Sequence, residues 1–153
     1  MFLAHYLGLL HRAELELADA YREVADRHSD EPDIYSTCQL LANQCQQHAE
    51  SLEPFVDRYG EEADKEPKKL HSDLFRGSRD GPFGMLRDLR DLYLMVCESD
   101  LSWTLIGQAA QGARDNDLFE SVSSCEGETA KQMKWLMTHM KQAAPQVLLV
   151  AEP

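Results

Sequence analysis

The chain has 153 residues, 43% of them hydrophobic, and a formal net charge of -12. That length suits one domain, residues 1–153, able to bury a core without disulfide or metal staples. The negative balance argues against a nucleic-acid partner, because phosphate binding needs a basic face, and no run of about 18 apolar residues offers a membrane span.

Four segments repeat apolar residues at helical spacing. The first runs from about Phe2 to His28, with Leu3, Leu7, Leu10, Leu17, Ala18, Tyr21 and Ala25 on its inner stripe. It opens on an apolar stretch that lacks a basic flank and a cleavage site, so no secretory signal is expected. Ser29-Asp30-Glu31-Pro32 breaks the pattern; Ser29 or Asp30 suits a cap and Pro32 suits a first helical turn. The second helix runs to about Tyr59 with Ile34, Cys38, Leu41, Cys45, Leu52, Phe55 and Tyr59 inward. Pro54 is expected to kink or loosen its last turns, and Gly60 to stop it.

Residues Glu61 to Phe83 lose the period and form a linker. The third helix runs from about Gly84 to Ala113, with Met85, Leu89, Leu92, Val96, Trp103 and Ala110 inward. Arg114-Asp115-Asn116-Asp117 is a tight turn. The fourth helix runs to about Ala143, with Leu118, Val122, Cys125, Thr129, Met133, Leu136 and Met140 inward, and Pro145 ends it before a short tail, 144–153.

Loop lengths set the topology. Short first and third connections make antiparallel hairpins. A linker of about 22 residues reaches about 70 Å, against about 42 Å for a helix of about 28 residues. The fold class is therefore all-α, a four-helix bundle with one long crossover between helices two and three; a plain up-down bundle is the alternative.

Polar residues that fall on apolar stripes are the candidates for chemistry. Glu14 lies between Leu10 and Leu17, and His48 is in phase with Leu41, Leu52 and Phe55. Cys45 precedes His48 by three positions, so both point the same way. Asp100 lies between Val96 and Trp103, with Ser99 the near alternative; Cys125 and Thr129 are central on the fourth helix, and Glu126 is at its margin. Counted from the turns at about 1.5 Å per residue, these groups share one mid-bundle level. A buried carboxylate needs a partner or a metal, and His48 is the expected partner of Glu14. The bland alternatives are a structural Glu–His hydrogen bond and cysteines that serve as small hydrophobes.

The chain resembles the ferritin-like superfamily, especially its rubrerythrin-like members. The most specific stretch is Cys45-Gln46-Gln47-His48-Ala49-Glu50-Ser51-Leu52, which looks like the family's second-helix E-x-x-H motif with Cys for its first Glu. Glu14 resembles the first-helix ligand and Asp100 stands at the approximate third-helix position. The fourth helix, Cys125-Glu126-Gly127-Glu128-Thr129-Ala130-Lys131, departs from the pattern: it holds no E-x-x-H, and the helical phase turns Glu128 and Lys131 outward. The resemblance therefore implies a degenerate site rather than an intact di-iron centre, and a non-catalytic bundle acting through oligomer or partner contacts.

Two other functions compete with it. In one, a remodelled Glu/Cys/His site drawn from Glu14, Cys45, His48, Asp100, Cys125 and Glu126 holds a single zinc or iron, or its cysteines act as reactive thiols. In the other, the chain is a non-haem di-iron oxidase or peroxidase. Leu94, Leu101 and Leu105 form a second apolar face on the third helix, expected to make a homo-oligomer, a dimer by preference, unless Leu70, Leu74 and Phe75 of the linker cover it. Cys38, Cys45, Cys97 and Cys125 follow no disulfide-module spacing, so reduced thiols and a cytoplasmic location are expected.

Overall fold

Four helices form where the periodicity places them: α1 Leu3–Arg27, α2 Pro32–Tyr59, α3 Gly81–Gly112 and α4 Asn116–Pro145. The computed structural model describes residues 2–60 and 75–151, and those residues contain no strand. The stripe residues behave as the period requires. From Leu7 to Ala25 on α1, Ile34 to Phe55 on α2 and Leu89 to Ala110 on α3, every residue of the inner stripes named above is buried. Leu3, Tyr59, Met85 and Met140, nearer the bundle ends, are partly exposed, as is Met133 in the middle of α4.

The helix ends differ in detail from expectation. Glu31, not Ser29 or Asp30, takes the position before α2, and no side chain caps it; the turn instead closes through backbone bonds from His28 to Val24 and from Glu31 to His28. The helix continues through Pro54 to Tyr59 and stops at Gly60, whose φ of 72° is left-handed backbone that glycine adopts without strain. Pro145 does not end the helical path. A π-helical turn, Gln146–Val150, follows it, closed by the Ala151 N–H on the carbonyl of Gln146 five residues back at 2.8 Å. Pro145 holds ordinary helical angles, φ −61° and ψ −43°, so its missing N–H removes one bond without reversing the chain. Burial of Val147 then holds the turn against α3 and α4.

α1 packs on α2 and α3, and α4 packs on α3 and α2, so among the described residues α1–α4 and α2–α3 are the diagonals. Side-chain bonds fix the directions. His28 at the end of α1 meets Asp88 near the start of α3, and Glu14 meets Trp103 farther along, so these helices run antiparallel. Arg58 meets Asp115, and Cys45 meets Gln132, so α2 and α4 run antiparallel too. Most of the predicted linker, 61–74, lies outside the described residues; Leu70 and Leu74, offered as a cover for α3, lie there as well. Phe75 is described and packs, partly buried, on the core.

Each end of the bundle is pinned by a buried or half-buried carboxylate. At one end Asp88, fully buried, accepts from His28 Nε2 at 2.9 Å, from the Arg79 backbone N–H at 2.9 Å and from Arg79 Nη1 at 3.0 Å. Arg79 reaches Asp91 as well, at 3.0 Å. Gly84 makes this clasp possible: a Cβ there would stand 2.8 Å from the Arg79 Cβ and 2.9 Å from its carbonyl carbon. At the other end Asp115 caps α4 through the Leu118 N–H, takes both oxygens' bonds from Arg58 at 3.0 Å and accepts the Tyr59 hydroxyl at 2.6 Å. The Tyr59 bond, with the Leu118 N–H and Arg58, holds the Asp115 carboxyl below the usual range against the opposing effect of burial.

The core has two apolar halves. One gathers Leu17, Tyr21, Val24, Cys38, Leu89, Leu92, Val96 and Leu136; the other gathers Leu7, Leu10, Leu52, Trp103, Ile106, Leu118 and Val122. A layer of buried polar groups lies between them, carried by Glu14, His48 and Gln132.

Candidate metal centre

Glu14 interrupts the α1 stripe one turn after Leu10 and one before Leu17, so the helix that buries those leucines buries the carboxylate as well, to 1% exposure. Cys45 and His48 stand on adjacent turns of α2 at 0% and 2% exposure. The hairpin brings the three together: each offers a donor atom, and all three donors lie within 4.8 Å of one another. Carboxylate oxygen, imidazole nitrogen and sulfur form a mixed set that suits zinc or another thiophilic ion.

Two of these atoms lack hydrogen-bond partners although they are buried: Glu14 Oε2 and His48 Nδ1. Nδ1 stands 3.5 Å from Glu14 Oε1, near enough for charge attraction but not aligned as a hydrogen bond. A buried polar atom left without a partner costs about 1–3 kcal/mol, so two in one layer are a feature to be explained.

The opposite side of each donor is well held. Trp103 Nε1 donates to Glu14 Oε1 at 3.0 Å, and the indole meets the His48 ring edge-on with centroids 5.7 Å apart. His48 Nε2 bonds Glu128 Oε1 at 3.1 Å, and the Glu128 side chain is 38% exposed. The Cys45 sulfur stands 3.7 Å from both the Oε1 and the Nε2 of Gln132. Each donor thus has one anchored side and, for Glu14 and His48, one bare side.

The electrostatics of the layer favour protons where no cation is present. Burial alone would push the His48 imidazole down, but the Glu14 carboxylate beside it and then Glu128, bonded to Nε2, outweigh it and leave it raised. Burial, with Glu14 beside it, pushes the Cys45 thiol well above its ordinary value. Burial likewise lifts Tyr21 well above its ordinary value, and Cys38 to about 12.

Of the six residues singled out from the sequence, the structure brings together Glu14, Cys45 and His48. Cys125 is buried nearby but bonds Ser51 Oγ at 3.5 Å instead of joining the group; burial raises its thiol to about 11. Glu126 accepts from exposed Thr104 at 3.3 Å. Asp100 is half-buried, and its alternative Ser99 is the buried residue of α3 at that level. Thr129 spends its hydroxyl on the carbonyl of Cys125 one turn back, at 2.7 Å.

Glu128, Gln132 and Trp103 complete the layer without having been read as part of it. The helical phase directs Glu128 outward, yet its side chain, 38% exposed, reaches His48 on α2. No protein-family model, no curated protein and no solved structure matches this chain. Leu101 and Leu105 on the outer side of α3 are 65% and 57% exposed, and Leu94 is half-buried. None of the described helices is long and apolar enough to cross a membrane.

Proposed function

We propose that this protein is a ferritin-like bundle whose central layer binds one thiophilic divalent cation, zinc foremost, through Glu14, Cys45 and His48. The observation that carries the reading is the pair of bare, buried atoms, Glu14 Oε2 and His48 Nδ1, facing a buried thiol. A cation would satisfy both at once and give the sulfur a partner stronger than an amide.

The surroundings of the donors support it. Metal-ligating histidines almost always give their second ring nitrogen to a carboxylate or carbonyl, and His48 gives Nε2 to Glu128. Trp103 holds the other oxygen of Glu14. The ferritin-like part of the reading rests on helix directions: Tyr59 lies at the end marked by Asp115, and Asp80 at the end marked by Arg27. The intervening segment, about 20 residues, can reach about 65 Å, enough to run past a helix of about 42 Å.

A di-iron centre fits these residues poorly. It needs a Glu-x-x-His from each of two helices and a Glu from each of the other two, whereas here α3 and α4 bring Trp103, Glu128 and Gln132 as hydrogen-bonding partners of the donors. Donors exposed by 2% or less also leave little access for a substrate. A bound ion in this layer is structural or sensory.

The test is elemental analysis of protein loaded with zinc and freed of unbound metal. One zinc per chain is expected in the wild type and at most about a tenth of that in Cys45→Ser, since a ligand has been lost. Two irons per chain after anaerobic iron loading, or no zinc at all, would overturn the reading.

A further inference from the structure

The amide of Gln132 is held in a way that the packing of α4 does not require. The residue is 1% exposed. Its Oε1 accepts the Tyr21 hydroxyl at 3.1 Å, and its Nε2 donates to Gln44 Oε1 at 3.1 Å. Those two bonds come from α1 and α2 and fix both ends of the amide plane. The same amide lies against the Cys45 sulfur, with oxygen and nitrogen each 3.7 Å away. A thiol donates its S–H to Oε1; a metal-bound sulfur, which has no proton to give, accepts from Nε2–H instead. Neither state requires Gln132 to move.

We infer that Gln132, oriented by Tyr21 and Gln44, is a positioning residue that supplies an N–H···S bond to the metal-bound sulfur of Cys45 and so makes the site select soft, thiophilic cations over hard ones. The inference rests on the metal-binding reading above. Its physical basis is that a hydrogen bond to a ligating sulfur orients the sulfur and stabilises its lone pairs, as outer hydrogen bonds do for ligating histidine and carboxylate. Hard ions such as manganese draw on oxygen donors and gain little from it.

Cobalt(II) is the probe, because sulfur-to-cobalt charge transfer reports the sulfur directly. In the wild type a charge-transfer band is expected at one cobalt per chain. In Gln132→Met, close to glutamine in volume but with no N–H, the band should move to lower energy and cobalt affinity should fall about tenfold or more, as it does when outer partners of ligands are removed. Affinity for manganese should change by less than about twofold. Tyr21→Phe, which releases the amide's oxygen but leaves the core filled, should shift the band the same way by less, and it carries the test if Gln132→Met does not fold. A wild-type band that neither variant moves would sink the role of Gln132 and leave the metal site standing. Absence of any band in the wild type would sink both.

Discussion

Asp88→Ala should destabilise the bundle by about 3–5 kcal/mol, the usual cost of removing one partner from a buried charge cluster. Asp88 is fully buried and receives three bonds, from His28, the Arg79 backbone and the Arg79 guanidinium. Removing it leaves His28, 4% exposed, with its ring nitrogen facing a void. It also leaves a backbone N–H without its acceptor. Arg79 keeps Asp91 as a partner, which places the expected loss nearer the lower figure. Asp88→Asn keeps one acceptor and should lose less. Urea unfolding followed by circular dichroism measures both; a loss under about 1 kcal/mol for Asp88→Ala would show that the clasp does not hold α3 to α1.

Zinc should raise the stability of the wild type by about 2.7 kcal/mol at a free concentration 100 times its dissociation constant. For a domain of this size that is a rise of roughly 5–11 °C in Tm. The effect should depend on pH with a definite sign. His48 is raised above its ordinary 6.5 in the folded protein. In the metal-free protein its contribution is therefore complete below about pH 6.5 and is lost as pH rises through the folded value. Zinc competes with the same proton, and with the thiol proton of Cys45, which burial and Glu14 hold in place. Below the His48 value, binding expels two protons and apparent affinity should rise about hundredfold per pH unit; above it the rise should be about tenfold. Heating scans at several pH values, with and without zinc, should give two curves that diverge as pH rises. Parallel curves would contradict the assignment of Cys45 and His48 as ligands.

The helices were legible because their stripes are long and regular, and two donors on α2 were legible because Cys45 and His48 share a face. The rest of the layer was harder, for reasons visible in particular residues. On α3 both Ser99 and Asp100 fall between Val96 and Trp103, at three and four residues from each. The alternation of four and three through Leu89, Leu92, Val96 and Trp103 favours Ser99, and the structure buries it.

On α4 the same alternation, Leu118, Val122, Cys125, Thr129, Leu136, points to position 132. Gln132 stands there at 1% exposure, while the apolar Met133 beside it is only partly buried. Trp103 reads as core, and its indole N–H gives no sign in the sequence of having Glu14 as acceptor. Glu128 depends on a side chain long enough to reach back from an outward position, which periodicity cannot convey. Asp88 and Asp91 were unreadable as buried groups because their partner, Arg79, comes from the segment before α3 rather than from a helix.

One ion is expected to sit between a carboxylate, an imidazole and a thiolate. X-ray absorption at the zinc edge of the loaded protein tests it most directly. A single sulfur neighbour at about 2.3 Å is expected, with nitrogen and oxygen neighbours at about 2.0–2.2 Å and loss of the sulfur shell in Cys45→Ser. A first shell of oxygen and nitrogen alone in the wild type would contradict it.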